Sequence, residues 1–269
     1  MTERQLFVRA FDGVGFVSLK GFVALGRGDG IRVNSALGGF ADLYVTDGRV
    51  MGFGIGLHVG GGVGGIACDH TDFNKNGVGL QIDNAIVQQG NREILQGKNC
   101  NFDASFTGDN VLVNDSMADG GTVDLGGWIA SSFRANGVNI QNWHNGDVEI
   151  SGDKVYNNCL DGVYVQDPST RVFIAASVAI NHNGNTAMAA NGCVIPSGRG
   201  YGINTATTTS NLFSGVAPWN NLAGPFGPST RFSIPPSPTF STGDADGWKG
   251  LWNQGWAVAG LHYMAGFGC

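Results

Sequence analysis

Phe73-Asn-Lys-Asn-Gly-Val-Gly-Leu-Gln-Ile82 holds the pattern that decides the fold: an aromatic anchor, an Asn/Gly turn, then apolar residues at every second position. Alternation with period two marks a strand with one buried face. Asn and Gly tolerate the backbone of a tight corner. The same texture returns as Phe106-Thr-Gly-Asp-Asn-Val-Leu-Val113, as Phe133-Arg-Ala-Asn-Gly-Val-Asn-Ile140 and as Tyr156-Asn-Asn-Cys-Leu-Asp-Gly-Val-Tyr-Val165. A weaker first copy is Phe53-Gly-Ile-Gly-Leu-His-Val59, and a degenerate last one opens at Ile180-Asn-His-Asn-Gly184. The anchors at 53, 73, 106, 133, 156 and 180 recur at irregular steps, each within the range of one solenoid coil.

Each coil holds more than one strand. Gly121-Thr-Val-Asp-Leu125, Asn145-Gly-Asp-Val-Glu-Ile150 and Ser169-Thr-Arg-Val-Phe-Ile174 also alternate. Such short strands cannot bury an inner face alone, but coil stacked on coil buries Val, Ile, Leu and Phe in a continuous column. That is a parallel β-helix. With its repeated F-x-x-N-G-V-x-I texture, the chain resembles the right-handed single-stranded parallel β-helix superfamily. This includes pectate lyases, polygalacturonases and the tailspikes of phages and phage-like particles. A β-sandwich or jelly roll shares the alternation, but the coil-length spacing and recurring Asn-Gly corner favour the solenoid.

Composition agrees. Of 269 residues 45 are Gly, and only three of the 21 acidic residues are Glu (Glu3, Glu93, Glu149), a usage that favours turns and excludes a mainly helical protein. Charged residues are 13% and the net charge is −6, which argues against nucleic acid and anionic membranes. No apolar run approaches the length of a membrane span. The N-terminal MTERQLFVRAFDG shows no secretory signal. Cys68, Cys100, Cys159, Cys193 and Cys269 are odd in number and far apart, so buried reduced thiols are expected rather than disulfides or zinc. No cofactor or metal is expected.

Three regions follow. Residues 1–40 are Gly-rich and read as an N-terminal cap. Residues 41–212 carry the parallel β-helix. Residues 213–269 begin with a Pro-rich stretch, including Pro218, Pro235, Pro236 and Pro238, that cannot continue a sheet. They end in an aromatic element with Trp248, Trp252, Trp256, Tyr263 and Phe267.

The repeat also aligns the outward residues, since equivalent positions stack about 4.8 Å apart. Gln81, Leu112, Asn139 and Tyr164 form one outward column; Asp83, Asn114, Gln141 and Gln166 form the next. Amides donate and accept hydrogen bonds and a tyrosine ring can stack on a pyranose. Gln81, Asp83, Asn114, Asn139, Gln141, Tyr164 and Gln166 are therefore candidate carbohydrate-binding residues, the alternative being an external polar ladder without a ligand. On the second strands Asp124, Glu149 and Phe173 stack outward beside Thr122, Asp147 and Arg171. Carboxylates there would lie roughly 5 Å apart, near the separation of a retaining glycosidase pair, so Asp124 and Glu149 are the candidate catalytic residues. The competing reading is a charged exterior in which Asp147 and Arg171 form a surface ion pair worth little.

The superfamily's catalytic signatures are mostly missing: no Asp-Asp pair, Gly-His-Gly, Arg-x-Lys or Asp-Pro-His-Glu occurs. Asp69-His-Thr-Asp72 matches a lyase site only in composition, and Asp244-Ala-Asp-Gly247 lacks the Glu of a calcium loop. The resemblance therefore implies a β-helix spike on a phage or phage-like particle. It would bind cell-surface or capsular polysaccharide, would be synthesised in the cytoplasm without export, and would trimerise through residues after Pro218. The alternative is an extracellular polysaccharide lyase or glycoside hydrolase with a diverged site.

Overall fold

The computed structural model describes residues 6–8, 14–35, 40–87, 93–114, 121–175, 177–207, 211–214 and 218–231. They form a nearly all-β parallel solenoid of about seven turns. Among them the one helical element is the 3-10 turn Thr186–Asn191. Cys269 and the aromatic residues from Trp248 to Phe267 lie outside the described residues, as do Asp244–Gly247 and Pro235–Pro238.

Three parallel ladders make the walls. The first stacks Ile31, Leu57, Leu80, Val111, Val138, Val163 and Ile203 in register, one from each of seven successive coils. All seven are fully buried, which is what the alternation of the quoted repeats demands. The second aligns Leu43, Ile66, Leu95, Val123, Val148, Val172 and Leu212. The third aligns Val50, Phe73, Phe102, Ile129, Val155 and Ile180. One 20-residue strand, Ile55–Asn74, bends through all three walls. At roughly 1.5–3 kcal/mol per buried aliphatic side chain, these columns are the main stabilising element. Strands ahead of residue 41 join the same ladders: Asp29–Ser35 pairs with Ile55–Asn74, and its Ile31 and Val33 are core.

The aromatic anchors do not form one column. Phe73 stacks on Phe102, with ring centroids 5.3 Å apart, whereas Phe106 meets Phe133 at an outer corner and is 46% exposed. Spacing alone could not separate them, because coils differ in length and two phenylalanines lie within four residues of each other.

Asparagine has a clearer task. After each third-ladder strand one residue adopts positive φ: Gly52, Lys75, Ala104, Ser131, Asn157, His182 and Asn220. The following residue is Asn at 76, 158, 183 and 221, and on the coil where it is Ser105 the amide of Asn110 takes that place, so the amides bond along the axis. Asn110 Nδ2 donates to Asn158 Oδ1 (2.9 Å), Asn158 Nδ2 to Asn183 Oδ1 (2.8 Å) and Asn183 Nδ2 to Asn221 Oδ1 (2.9 Å). A buried amide is tolerated when donor and acceptor are both used, which explains the recurring Asn of the sequence.

The cysteines overturn the expectation of reduced thiols. Cys68–Cys100 and Cys159–Cys193 are disulfides, with Cα atoms 6.1 and 5.7 Å apart. They are 32 and 34 residues apart in sequence, a separation that looked too wide, but one coil of a solenoid returns the chain to almost the same place. Cys159–Cys193 ties the segment holding the 3-10 turn to the corner beyond the third ladder.

Candidate functional site

The expected outward columns form. On the first ladder Gln81, Leu112, Asn139 and Tyr164 are paired in register, as are Asp83, Asn114 and Gln141. Gln81, Asp83, Asn114, Asn139 and Gln166 spend polar atoms within the wall. Gln81 Nε2 donates to Asp83 Oδ2 (2.5 Å), Asn114 Nδ2 reaches Asp83 Oδ1 (3.5 Å), and Gln166 Nε2 donates to Asn139 Oδ1 (2.9 Å). Asn139 is buried and gives its amide hydrogen to Asp109 Oδ2 (2.9 Å), whose other oxygen receives the backbone and side-chain N–H of Asn136. Burial pushes the Asp109 carboxyl up, against these donors.

Tyr164 is covered as well. The Arg199 guanidinium lies 4.0 Å over its ring while bonding Asp161 Oδ2 and Asn136 Oδ1. Arg199 follows the inserted segment, so no local pattern around Tyr164 announces it. The sequence reading also missed His58, whose imidazole lies between Asp29 (2.9 Å) and Asp83 (3.1 Å) on the neighbouring coils. The hydrogen bond to Asp83 raises its pKa, burial opposes this, and Asp29 adds to the rise.

The second ladder is different. Its outward column runs Tyr44, Ala67, Gln96, Asp124, Glu149, Phe173 and Phe213. Asp124 and Glu149 are paired in register as expected, but Glu149 is 2% exposed, so the two carboxylates do not jointly face one substrate. Phe173 stacks on Phe213 at 4.9 Å just beyond. Asp147 is buried too and takes a bidentate contact from Arg171 (2.5 and 2.9 Å), so this pair is not the weak surface bridge expected.

Next to Glu149, between Tyr44 and Asp153, lies a groove of about 520 Å³. Its walls carry Tyr44, Gln96, Asp124, Ser151 and, from the adjoining corner, Asp69, Lys98, Asn99 and Asp153. The floor is bare because Ala67 is small and Gly97, Gly126, Gly127 and Gly152 admit no side chain. A Cβ on Gly127 would sit 2.0 Å from the Cys100 carbonyl oxygen, and one on Gly152 2.2 Å from the Gly127 backbone. Coils packed this closely exclude side chains between them.

Asp124 is the chemically distinct group of this groove. Ser151 Oγ donates to Oδ1 at 2.6 Å, yet burial, with a contribution from Glu93, pushes its carboxyl up to about 6. A carboxyl near that value can exchange a proton close to neutrality. Ser151, Lys98 and Asp153 were not singled out by sequence; they are brought to Asp124 by corners from different coils. Among the described residues no group of three or more metal-ligating side chains is placed for a metal. No family model matches the chain, and neither a curated protein nor a solved structure does.

Proposed function

We propose that this protein is a polysaccharide-binding β-solenoid that holds a glycan in the groove along its second ladder. The observation that carries this reading is the groove itself. It is an elongated hollow across several coils, floored by glycine and alanine. It is walled by an amide, a hydroxyl, carboxylates and a 39% exposed tyrosine, groups that suit sugar hydroxyls and a pyranose face. The solenoid fold is compatible with this role. Ala67→Trp tests it, since Ala67 is an outward residue and a tryptophan there fills the hollow. Binding to a panel of capsular and cell-wall glycans is expected to disappear while the melting temperature stays near that of the parent. A panel that binds the parent and Ala67→Trp equally overturns the assignment.

One observation favours a second reading, a depolymerase. Asp124, titrating at about 6 inside the groove, has the properties of a general acid or base. New reducing ends, or ultraviolet absorbance from unsaturated sugars, appearing with the parent and not with Asp124→Asn, would establish it. Display on a phage or phage-like particle, or secretion, belongs to the same proposal. The two disulfides support an oxidising exterior, where such bonds persist. A homotrimer joined through residues after Pro218 completes it, tested by light scattering on the full chain and on one ending at Leu212. A monomeric full chain, or an unchanged oligomer after truncation, removes that part.

A further inference from the structure

The charges in the groove are unbalanced. Asp69, Asp124 and Asp153 line it, and among the described residues Lys98 is the one lysine or arginine that does so. Two of the carboxylates are held by neutral donors: Asp124 by Ser151 Oγ (2.6 Å), and Asp153 by Trp128 Nε1 (2.7 Å). Asp69 lies beside the exposed His70. Asp124 is therefore a half-buried carboxylate facing a cavity, with a hydroxyl as its donor and a further carboxylate, Glu93, in its field. A charge taken from water is costly unless it is paired. Among the described residues the hydrogen-bond donor to Asp124 is the neutral Ser151 hydroxyl.

We propose that the groove takes a glycan bearing free amines, of the glucosamine-polymer class, with an ammonium group seated against the Asp124 carboxylate. This rests on the reading of the groove as a glycan site. An ammonium supplies the missing charge and up to three donors, enough to engage Asp124 while its ring hydroxyls meet Gln96 and Ser151. A polyuronate would bring like charges to Asp69, Asp124 and Asp153 with Lys98 alone to attract it. A neutral or N-acetylated chain would meet the amide and hydroxyl groups but leave Asp124 desolvated beside Glu93. The exposed face of Tyr44 adds a platform at the far end, where an aromatic ring can also attract a cation.

Calorimetric titration near neutral pH with three hexamers separates these cases: glucosamine, N-acetylglucosamine and galacturonate. The parent protein is expected to bind the glucosamine hexamer about tenfold more tightly than its acetylated counterpart, and the galacturonate hexamer least. Asp124→Asn is expected to remove most of that preference. Asp72→Asn makes the same change in net charge on the third ladder, where Asp72 meets Arg49 and Asn101, and is expected to keep it. Groove binding can also stand while the amine assignment falls. That is the result if the acetylated or galacturonate hexamer binds at least as well and Ala67→Trp abolishes it. Equal loss of preference in both Asn variants would mean bulk attraction and overturns the assignment. If none of the three hexamers binds, the amine assignment falls, while the glycan reading is decided separately by the wider glycan panel and Ala67→Trp.

Discussion

The first and second ladders present polar residues outward at the same positions of the same repeat, yet they end in opposite states. On the first, Gln81 meets Asp83, Gln166 meets Asn139, Asn139 meets Asp109, and Arg199 lies on Tyr164. On the second, Ala67 and a row of glycines put no long side chain over the floor, Asp124 keeps Ser151 Oγ as its donor, and a hollow is left. A polar column is thus a structural ladder when adjacent coils carry complementary side chains. It is open to a ligand when the adjacent side chains are missing. Residue type decides what a column could bind; the neighbours decide whether it is free to.

The largest expected effect strikes the core both faces share. Val163 is fully buried between Val138 and Ile203, and Val163→Asp would place a carboxylate there at a cost of several kcal/mol. Loss of soluble folded protein is expected, read from expression and β-type circular dichroism. A soluble variant melting like the parent would show that the inward register is wrong.

The next tests set the two faces against each other. Asn139→Ala takes one donor from the buried Asp109 carboxylate and an acceptor from Gln166, so a loss of about 1–3 kcal/mol in chemical denaturation is expected. Asp124→Asn should act in the opposite direction. The folded carboxyl titrates near 6, above its ordinary value of 3.8, so the folded state holds the proton more tightly than the unfolded one. Its stabilising effect is full below about pH 4 and is lost as the pH rises through 6. The asparagine variant escapes that loss, so its melting temperature should exceed the parent's at pH 8 and converge with it below pH 4. A variant less stable at pH 8 would mean that Asp124 supports the fold, as Asp109 and Asn139 do.

The smallest effect concerns a corner. Ala104 occupies the positive-φ position that Asn157 and Asn220 fill elsewhere, at φ 57. Ala104→Gly should be neutral to stabilising, by up to about 1 kcal/mol, because the left-handed strain is removed while the unfolded chain gains freedom. A clear loss of stability would indicate that the methyl group packs in a way the corner needs.

Much of this architecture is legible in the chain. Alternation in 78–82, 111–114, 138–141 and 163–165 assigns each residue inward or outward, and the resulting columns coincide with the observed registers on both ladders. Asp124 could be singled out because it alternates with Val123 and Leu125. Less legible were the partners. Phe106 resembles Phe73 in its local context but sits in another column, and the cysteine pairs look remote until the coil closes.

What the sequence by itself determined is periodic: β-strands of one buried face, Asn-rich corners, stacked coils and the direction of each side chain. Those properties follow from backbone geometry and from the cost of leaving apolar faces in water, and both are local enough to be written in a short repeat. Only the tertiary structure decided which polar residues satisfy one another. Arg199 reaches Tyr164 and Asn136 from the far side of an insertion, Glu149 is fully buried where Asp124 is half-buried, and Ser151 meets Asp124 from the next coil. Burial and hydrogen bonding depend on atoms brought together across coils of unequal length, and no period in the chain encodes that length.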